Sequence, residues 1–333
     1  MKIIEKVTIR EVAKESGVST ATVSRVLNDT GYVSDEIKSR VLNSVKNLNY
    51  QPNAVARSLK QSKTNTIGVI IPDISNPYFM KIAKGIEDRT WDAGYNLIFS
   101  SSDGKLEKEH QLLKLLVEQR VDAIVLVTSG SENELAKSIN ESGTPVILID
   151  RRLNHEQSDF DLVEEDNVQG AYYLTEKIIQ RGHTRIGVIA GSFQVSTGTD
   201  RYEGLTKALK QYNIPLDENL IYIGDFTRSS GEKAVDYFLS NDDYPRAIIS
   251  FNNLMTEGVL YSLFQKGFKV PKDFDVASYG GTDLDILLEP PGIITISQDP
   301  YKMGIKTGDI LLKRLVMGES GPFYEKFTPE IVY

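Results

Sequence analysis

The chain of 333 residues contains no cysteine. Disulfides, thiolate catalysis, Cys-ligated zinc and iron–sulfur clusters are therefore excluded in one step. Histidine occurs only as His110, His155 and His183, too scattered for a His-rich metal centre. No apolar run approaches the roughly 20 residues that a membrane-spanning helix needs. The opening "MKIIEKVTIREV" has neither the apolar stretch nor the small-residue cleavage site of an export signal, so a cytoplasmic protein without a membrane partner is expected. Catalytic signatures are missing as well. "GSFQVSTGT" lacks the Gly-Lys-Ser/Thr ending of a phosphate-binding loop, no Gly-x-Ser-x-Gly elbow occurs, and "GVIAGS" reads as a strand rather than a dinucleotide turn. The expectation is a protein that is not an enzyme and takes no cofactor and no metal.

Basic charge is scarce overall, with a net charge of -8, which argues against a nucleic-acid partner. The acidic excess is unevenly spread, however. Residues 1–62 hold ten Lys and Arg against six Asp and Glu, a balance of +4, which leaves 28 against 40, or -12, for residues 63–333. A basic head on an acidic body is an asymmetry that chance alone can also produce on so small a segment, and it directs attention to what the head folds into.

The head explains that charge. Thr8 and Glu11 have the spacing of a capping box, and Ile9, Val12 and Ala13 fall on one helical face. Gly17 supplies the positive φ of a turn, Ser19 is the next N-cap, and Val23, Val26 and Leu27 form a second apolar stripe. That pattern turns Thr20, Ala21, Ser24, Arg25 and Asn28 outward, with Thr22 beside them. These are small or hydrogen-bonding side chains that suit the floor of a major groove. A third helix begins near Ser34 and buries Ile37, Val41, Val45 and Leu48. Helices this short are marginal alone. Three around a small core make a helix-turn-helix over residues 1–50, with the segment from Thr20 as recognition helix. A generic three-helix bundle is the bland alternative.

Residues 51–63 follow as "QPNAVARSLKQSK". Pro52 suits a first helical turn, residues 53–59 have helical composition, and the polar remainder reads as linker. Leu59 sits where an apolar wedge could enter a base step from the minor groove, or it packs on the core.

From residue 64 the pattern changes to alternating strands and helices, which means α/β architecture with doubly wound parallel sheets. The likeness of "TNTIGVIIPD" to "HTRIGVIAGS" suggests two similar lobes, one of about residues 64–162 plus 293–322 and one of about 163–292 plus 323–333. Ligands of such sheets sit at the carboxyl ends of the strands, here in the cleft between lobes. Asp73, Asn76, Tyr78, Phe79, Arg151, Thr197, Arg201, Phe226, Asn252, Thr282 and Gln298 cluster at those ends. Aromatic faces with Asp, Asn and Arg suit a hydroxyl-rich ligand. Asx residues also commonly cap helices that follow strands, which is the competing reading for Asp73 and Asn76. Trp91, the lone Trp, lies on an amphipathic helix and is expected in the core or at an interface.

The segments "VTIREVAKESGVSTATVSRVLN", "NYQPNAVARSL", "IGVIIPDISNPYF", "DNVQGA", "RGHTRIGVIAG" and "DRYEGL" carry a clear likeness. The chain resembles, over nearly its whole length, the lactose-repressor/galactose-repressor family of bacterial transcription regulators. The resemblance implies a DNA-binding headpiece, a hinge helix, a core like that of periplasmic sugar-binding proteins, and a homodimer on a pseudo-palindromic operator. It puts Thr20, Ala21 and Arg25 at base-reading positions, with Thr8, Thr22, Ser24, Asn28 and Asn53 as further DNA contacts. Ala56 and Leu59 fall at the minor-groove positions of the hinge. It puts the eleven strand-end residues named above around the effector pocket. Two departures stand out. Thr282 falls where the family has a ligand-facing carboxylate, and Asn252-Asn253 replaces the common Asn-Asp. Fewer pocket acids with Arg151 and Arg201 kept would tolerate an anionic ligand, so a sugar, a sugar acid or a sugar phosphate is expected.

The expectation is therefore a cytoplasmic, nucleoid-associated repressor of a carbohydrate-use operon. It is a dimer, since no heptad tail follows "FTPEIVY". The alternative within the family is a global regulator whose corepressor is a phosphorylated carrier protein.

Overall fold

The computed structural model describes residues 7–51, 63–154, 159–240, 242–284, 287–288 and 290–332. The expected hinge helix, with Asn53, Ala56 and Leu59, lies outside the described residues. The chain divides into two compact units, residues 1–64 and 65–333.

In the first unit, caps fix where the helices begin. α1 (Ile9–Ser16) starts at Thr8, whose backbone N–H and hydroxyl donate to the Glu11 carboxylate at 2.6 and 3.0 Å. Those two bonds hold the Glu11 carboxyl below its ordinary value. Gly17 ends the helix at φ 67°, a left-handed conformation that glycine adopts without a Cβ penalty. α2 (Thr20–Leu27) starts at Ser19, whose hydroxyl accepts the Thr22 N–H at 3.1 Å. α3 (Asp35–Asn47) carries Asp35 and Glu36 in its first turn. Val12, Ala13, Val23, Val26 and Val41 are buried together at the centre of this helix-turn-helix. So small a core makes each valine a large share of the stability.

The second unit begins with β1 (Thr66–Ile71), α4 (Pro77–Thr90), β2 (Asn96–Ser101), α5 (Leu106–Glu118), β3 (Ala123–Leu126), α6 (Glu134–Glu141), β4 (Val146–Ile149) and β5 (Asp161–Glu165). The alternation then repeats. It runs α7 (Asn167–Gln180), β6 (Ile186–Ala190), α8 (Ser196–Gln211), β7 (Ile221–Ile223), α9 (Arg228–Leu239), β8 (Ala247–Ser250), α10 (Asn253–Gln265), β9 (Asp275–Tyr279) and β10 (Ile294–Ser297). α11 (Pro300–Leu312), β11 (Tyr324–Phe327) and β12 (Glu330–Val332) complete it.

Two six-stranded sheets result, in the orders β11-β5-β4-β3-β1-β2 and β12-β10-β9-β8-β6-β7. Every pairing is parallel except β12 on β10. β3 and β4 are buried on both faces, as parallel strands between helix layers must be. Each sheet reverses its strand order beside β1 or beside β6. The crevice at the carboxyl ends of those strands is where such folds bind ligands.

The lobes differ from the sequence expectation at two segments. Residues 294–297, expected in the first lobe, join the second sheet, with Ile294 in register with Ala277. Residues 324–327, expected in the second, pair with β5 in the first sheet. A four-residue strand carries no mark of which sheet it will enter; only register against its neighbour decides. The chain therefore crosses between lobes after β5, after β10 and after β11.

Glycine sets one helix crossing. A Cβ on Gly85 of α4 would strike the Tyr301 carbonyl oxygen, and one on Gly304 of α11 the Ile82 carbonyl oxygen. Trp91 is 62% exposed, so it is not a core residue. No described helix is long and apolar enough to cross a membrane.

Candidate functional site

Each unit carries a candidate site. In the first, burial of Val23 and Val26 turns Thr20, Ala21 and Arg25 to solvent. The other candidates on or beside α2 are tied to neighbouring residues. Asn28 donates its amide to the Ser24 carbonyl and hydroxyl at 2.8 and 3.3 Å, and the Thr22 hydroxyl is 3.0 Å from that of Ser19. Thr8 is engaged in its cap. The exposed ridge is therefore Thr20, Ala21 and Arg25. Tyr32, in the loop after α2, is 94% exposed and has no periodic signal in the sequence.

In the second unit a cavity of about 380 Å³ lies between the lobes. The first lobe lines it with Asp73, Asn76, Tyr78, Phe79 and Arg151, and the second with Thr197, Arg201, Phe226 and Asn252. Gln298, just after β10, completes the set. The capping roles and the cavity positions coincide. Asn76 accepts the Tyr78 N–H at 3.0 Å, Asn252 accepts the Met255 N–H at 2.8 Å, and Asp73 accepts the Ser75 N–H at 2.8 Å.

Two guanidinium groups organise the floor. Arg151 donates to the Thr128 carbonyl at 3.0 Å and lies 5.2 Å from the Phe226 ring centroid. Burial draws its pKa down, and the neighbouring Asp150 opposes the shift. Asp150 also accepts the Tyr78 hydroxyl at 2.9 Å. Tyr78 is pushed well up by burial and by that carboxylate. Arg201 donates to the Asn167 side chain at 2.8 Å and to the Phe251 carbonyl at 2.6 Å, with its carbon 3.7 Å from the Tyr279 ring centroid. Two of its five N–H donors are thus directed into the protein.

Besides Asp103 at φ 53°, two wall residues hold left-handed backbone, Asp150 at φ 67° and Phe226 at φ 66°. Such conformations in non-glycine residues concentrate at ligand sites. Gly191 makes room for the second, since a Cβ there would meet the Phe226 ring. Behind the cavity, Glu165 at the end of β5 accepts the Gln298 amide at 2.7 Å. Its burial pushes the carboxyl up to about 7, against the pull of Gln298 and Arg201.

Side chains also join the lobes directly. Asn253 donates to Asn76 at 3.0 Å, and Asn76 donates back at 3.4 Å. The Arg152 guanidinium meets Asp200 at 2.5 and 2.7 Å, and the Arg152 backbone N–H donates to the Ser196 hydroxyl at 3.0 Å.

Thr282 is the one strand-end candidate that does not line this cavity. It faces a neighbouring chamber, and its hydroxyl accepts the Leu284 N–H at 3.1 Å. The residue just past the end of β9, against Gln298, is instead Gly280. Sequence reasoning also missed Glu165 and Tyr279, which read as ordinary strand residues. Their positions at the carboxyl ends of β5 and β9 are the signal that could have found them. The arrangement can bind and orient a polar ligand. Among the described residues no group of His, Asp and Glu could hold a metal ion.

The profile described as "Periplasmic binding proteins and sugar binding domain of LacI family" matches residues 64–314, and "Bacterial regulatory proteins, lacI family" matches residues 8–53. The chain is 35% identical over 326 residues to the "HTH-type transcriptional repressor PurR" of Photobacterium profundum, covering 98% of this chain and 97% of the relative. Among solved structures, a transcriptional regulator CelR–cellobiose complex is similar at 26% identity with a TM-score of 0.74, over 98% of this chain and 99% of that one. The lac repressor dimer bound to operator and the anti-inducer ONPF shares the fold, with 24% identity and a TM-score of 0.83, over 99% and 98% of the two chains.

Proposed function

The chain belongs to the lacI family of bacterial regulatory proteins, and from that premise we propose that it represses a carbohydrate-use operon as a dimer on a pseudo-palindromic operator and is released by a neutral, hydroxyl-rich small molecule in the cleft. It is a DNA-binding transcription regulator rather than an enzyme. The observation that carries the finer reading is the cavity of about 380 Å³, with Asp, Asn, Gln and Arg among its lining residues, between lobes that also meet directly. A ligand there bears on how the lobes close.

The charge of the wall selects the ligand class. Asp73, Asp103, Asp150 and Asp225 line the cavity, against Arg151 and Arg201 as the only basic side chains among the described residues of the wall. A phosphate or carboxylate needs guanidinium donors free to fork around it. Two of the Arg201 donors are directed to Asn167 and Phe251, while Arg151 Nε has no hydrogen-bond partner among the described residues. With four carboxylates against two guanidinium groups, the neutral sugar fits best of the three effector classes. Its hydroxyls match the Asp, Asn and Gln side chains, and its apolar face suits the Phe226 ring.

On DNA, phosphate contacts from the basic head supply affinity, and Thr20, Ala21 and Arg25 supply sequence choice. Dimerisation is supported by the free edges of the two sheets, where Ile98 of β2 is 39% and Ile223 of β7 59% exposed. A twofold protein reads an inverted repeat. Effector binding need only differ by a few kcal/mol between the DNA-bound and free states. A cavity of about 380 Å³ between the lobes has the size for a small molecule, which favours one over a carrier-protein corepressor. A DNA role places the protein in the cytoplasm with the nucleoid.

Selection from random duplexes with the full-length chain, at fixed near-physiological salt, tests the DNA half. Enrichment of an inverted repeat is the expected result. Recovery of unenriched DNA would refute operator binding.

A further inference from the structure

One buried carboxylate behind the effector cavity has no part in the site as described so far. Glu109, near the start of α5, is fully buried and is not a wall residue of the cavity. A carboxylate is costly to bury unless donors surround it, and the segment after β3 supplies them. The Ser129 backbone N–H donates to Glu109 Oε2 at 2.6 Å, and the Asn133 amide donates to Oε1 at 2.6 Å. The Thr128 hydroxyl stands 3.2 Å from Oε1. All three partners are themselves buried.

The same segment reaches the cavity. The Thr128 carbonyl and the Ser129 N–H belong to one peptide unit, and that carbonyl accepts Arg151 Nη1 at 3.0 Å. A trans peptide is a rigid plane with its C=O and N–H on opposite sides. Glu109 therefore grips one edge of the plane, and the other edge grips Arg151. An N–H bonded to a carboxylate also polarises the plane, which makes its carbonyl the stronger acceptor. Arg151 has little else to fix it. Its Nε has no hydrogen-bond partner among the described residues, and the Asp150 carboxylate lies 3.7 Å from that atom. Burial draws the Arg151 pKa down, and Asp150 and Glu109 both oppose it.

We propose that Glu109 is a positioning residue of the effector site: it fixes the Thr128–Ser129 peptide, and that peptide sets where the Arg151 guanidinium stands in the cavity wall. The proposal rests on the reading of this cavity as the effector site. Glu109 touches no ligand and acts through Arg151 alone.

Isothermal titration of the full-length protein with a panel of neutral monosaccharides, and a crystal structure of the Glu109→Gln protein, test it together. Gln keeps the shape but has one acceptor oxygen for the two N–H donors of Ser129 and Asn133. The sugar that binds wild type most tightly is expected to lose about fivefold in affinity to Glu109→Gln, and to lose nothing further when Arg151 is already replaced by Lys. Asn133→Ala removes a donor from the same carboxylate and the N-cap of α6, but leaves the Thr128–Ser129 peptide alone. It should lower the melting temperature and keep sugar affinity within about twofold. In the crystal, Arg151 is expected to leave the Thr128 carbonyl. Should Glu109→Gln not fold, Glu109→Asp, which keeps the charge and draws the carboxylate back, takes its place with the same outcomes. An affinity loss that persists in the Arg151→Lys background would overturn the proposal, as would an equal loss from Asn133→Ala or an Arg151 that keeps its bond. If no sugar binds wild-type protein, the neutral-sugar reading fails by itself. The Arg151 geometry, which needs no ligand, still decides the role of Glu109.

Discussion

Glu165 offers a prediction whose size follows from its surroundings. It is 5% exposed at the end of β5, and its burial raises the carboxyl from 4.5 to about 7. A carboxyl whose folded value lies above its unfolded one favours the fold in its protonated state. That contribution is fully present below pH 4.5 and is lost as the pH rises through 7. Linkage converts the interval into about 1 kcal/mol lost at pH 5 and about 3 kcal/mol at pH 8. Glu165→Gln removes the ionisation and keeps an oxygen for the Gln298 amide. The variant should therefore gain on wild type by roughly 2–3 kcal/mol between pH 5 and pH 8, or about 5 °C in a unit of this size. Calorimetry of both proteins at the two pH values, following the transition of residues 65–333, measures it. A difference in melting temperature that stays constant across that range would refute the reasoning.

Three further outcomes are expected. Val23→Ala removes two methyl groups from the five-residue core of the first unit, at about 2 kcal/mol. Hydrogen exchange should rise across residues 7–51 and DNA affinity should fall, with ligand affinity unchanged; loss of both functions together would contradict it. Gly304→Ala drives a Cβ into the Ile82 carbonyl, so the second unit should lose about 1–3 kcal/mol in a urea titration. An unaltered midpoint would mean the helix crossing is looser than described. Arg25→Ala should weaken binding to the selected inverted repeat by about 1–3 kcal/mol and relax the choice at one base pair per half-site, which repeated selection detects.

Local chemistry was the legible part of this chain. Thr8, Gly17 and Ser19 are cap and turn residues whose roles depend on neighbours within four positions, so the headpiece helices fall where the sequence puts them. The strand–helix alternation likewise depends only on periodicity. Sheet membership does not. β10 and β11 are short segments after long connections, and pairing with β9 and β5 decides where they go. The cavity was legible to the extent that its residues sit at strand ends and caps. Thr282 lies off that cavity because the strand ends earlier, at Tyr279, and Gly280 takes the position against Gln298. Glu165 has no local signature beyond its place at the end of β5; its burial arises only when three crossing segments meet.

The coupling of the two units is the central claim, and fluorescence anisotropy measures it directly. The full-length protein is bound to the selected inverted repeat at fixed salt, and neutral sugars are titrated in. Release of the duplex by a sugar that also binds the DNA-free protein is the predicted result. If such a sugar binds and the duplex affinity does not change, ligand and DNA are not coupled, and the account of regulation is wrong.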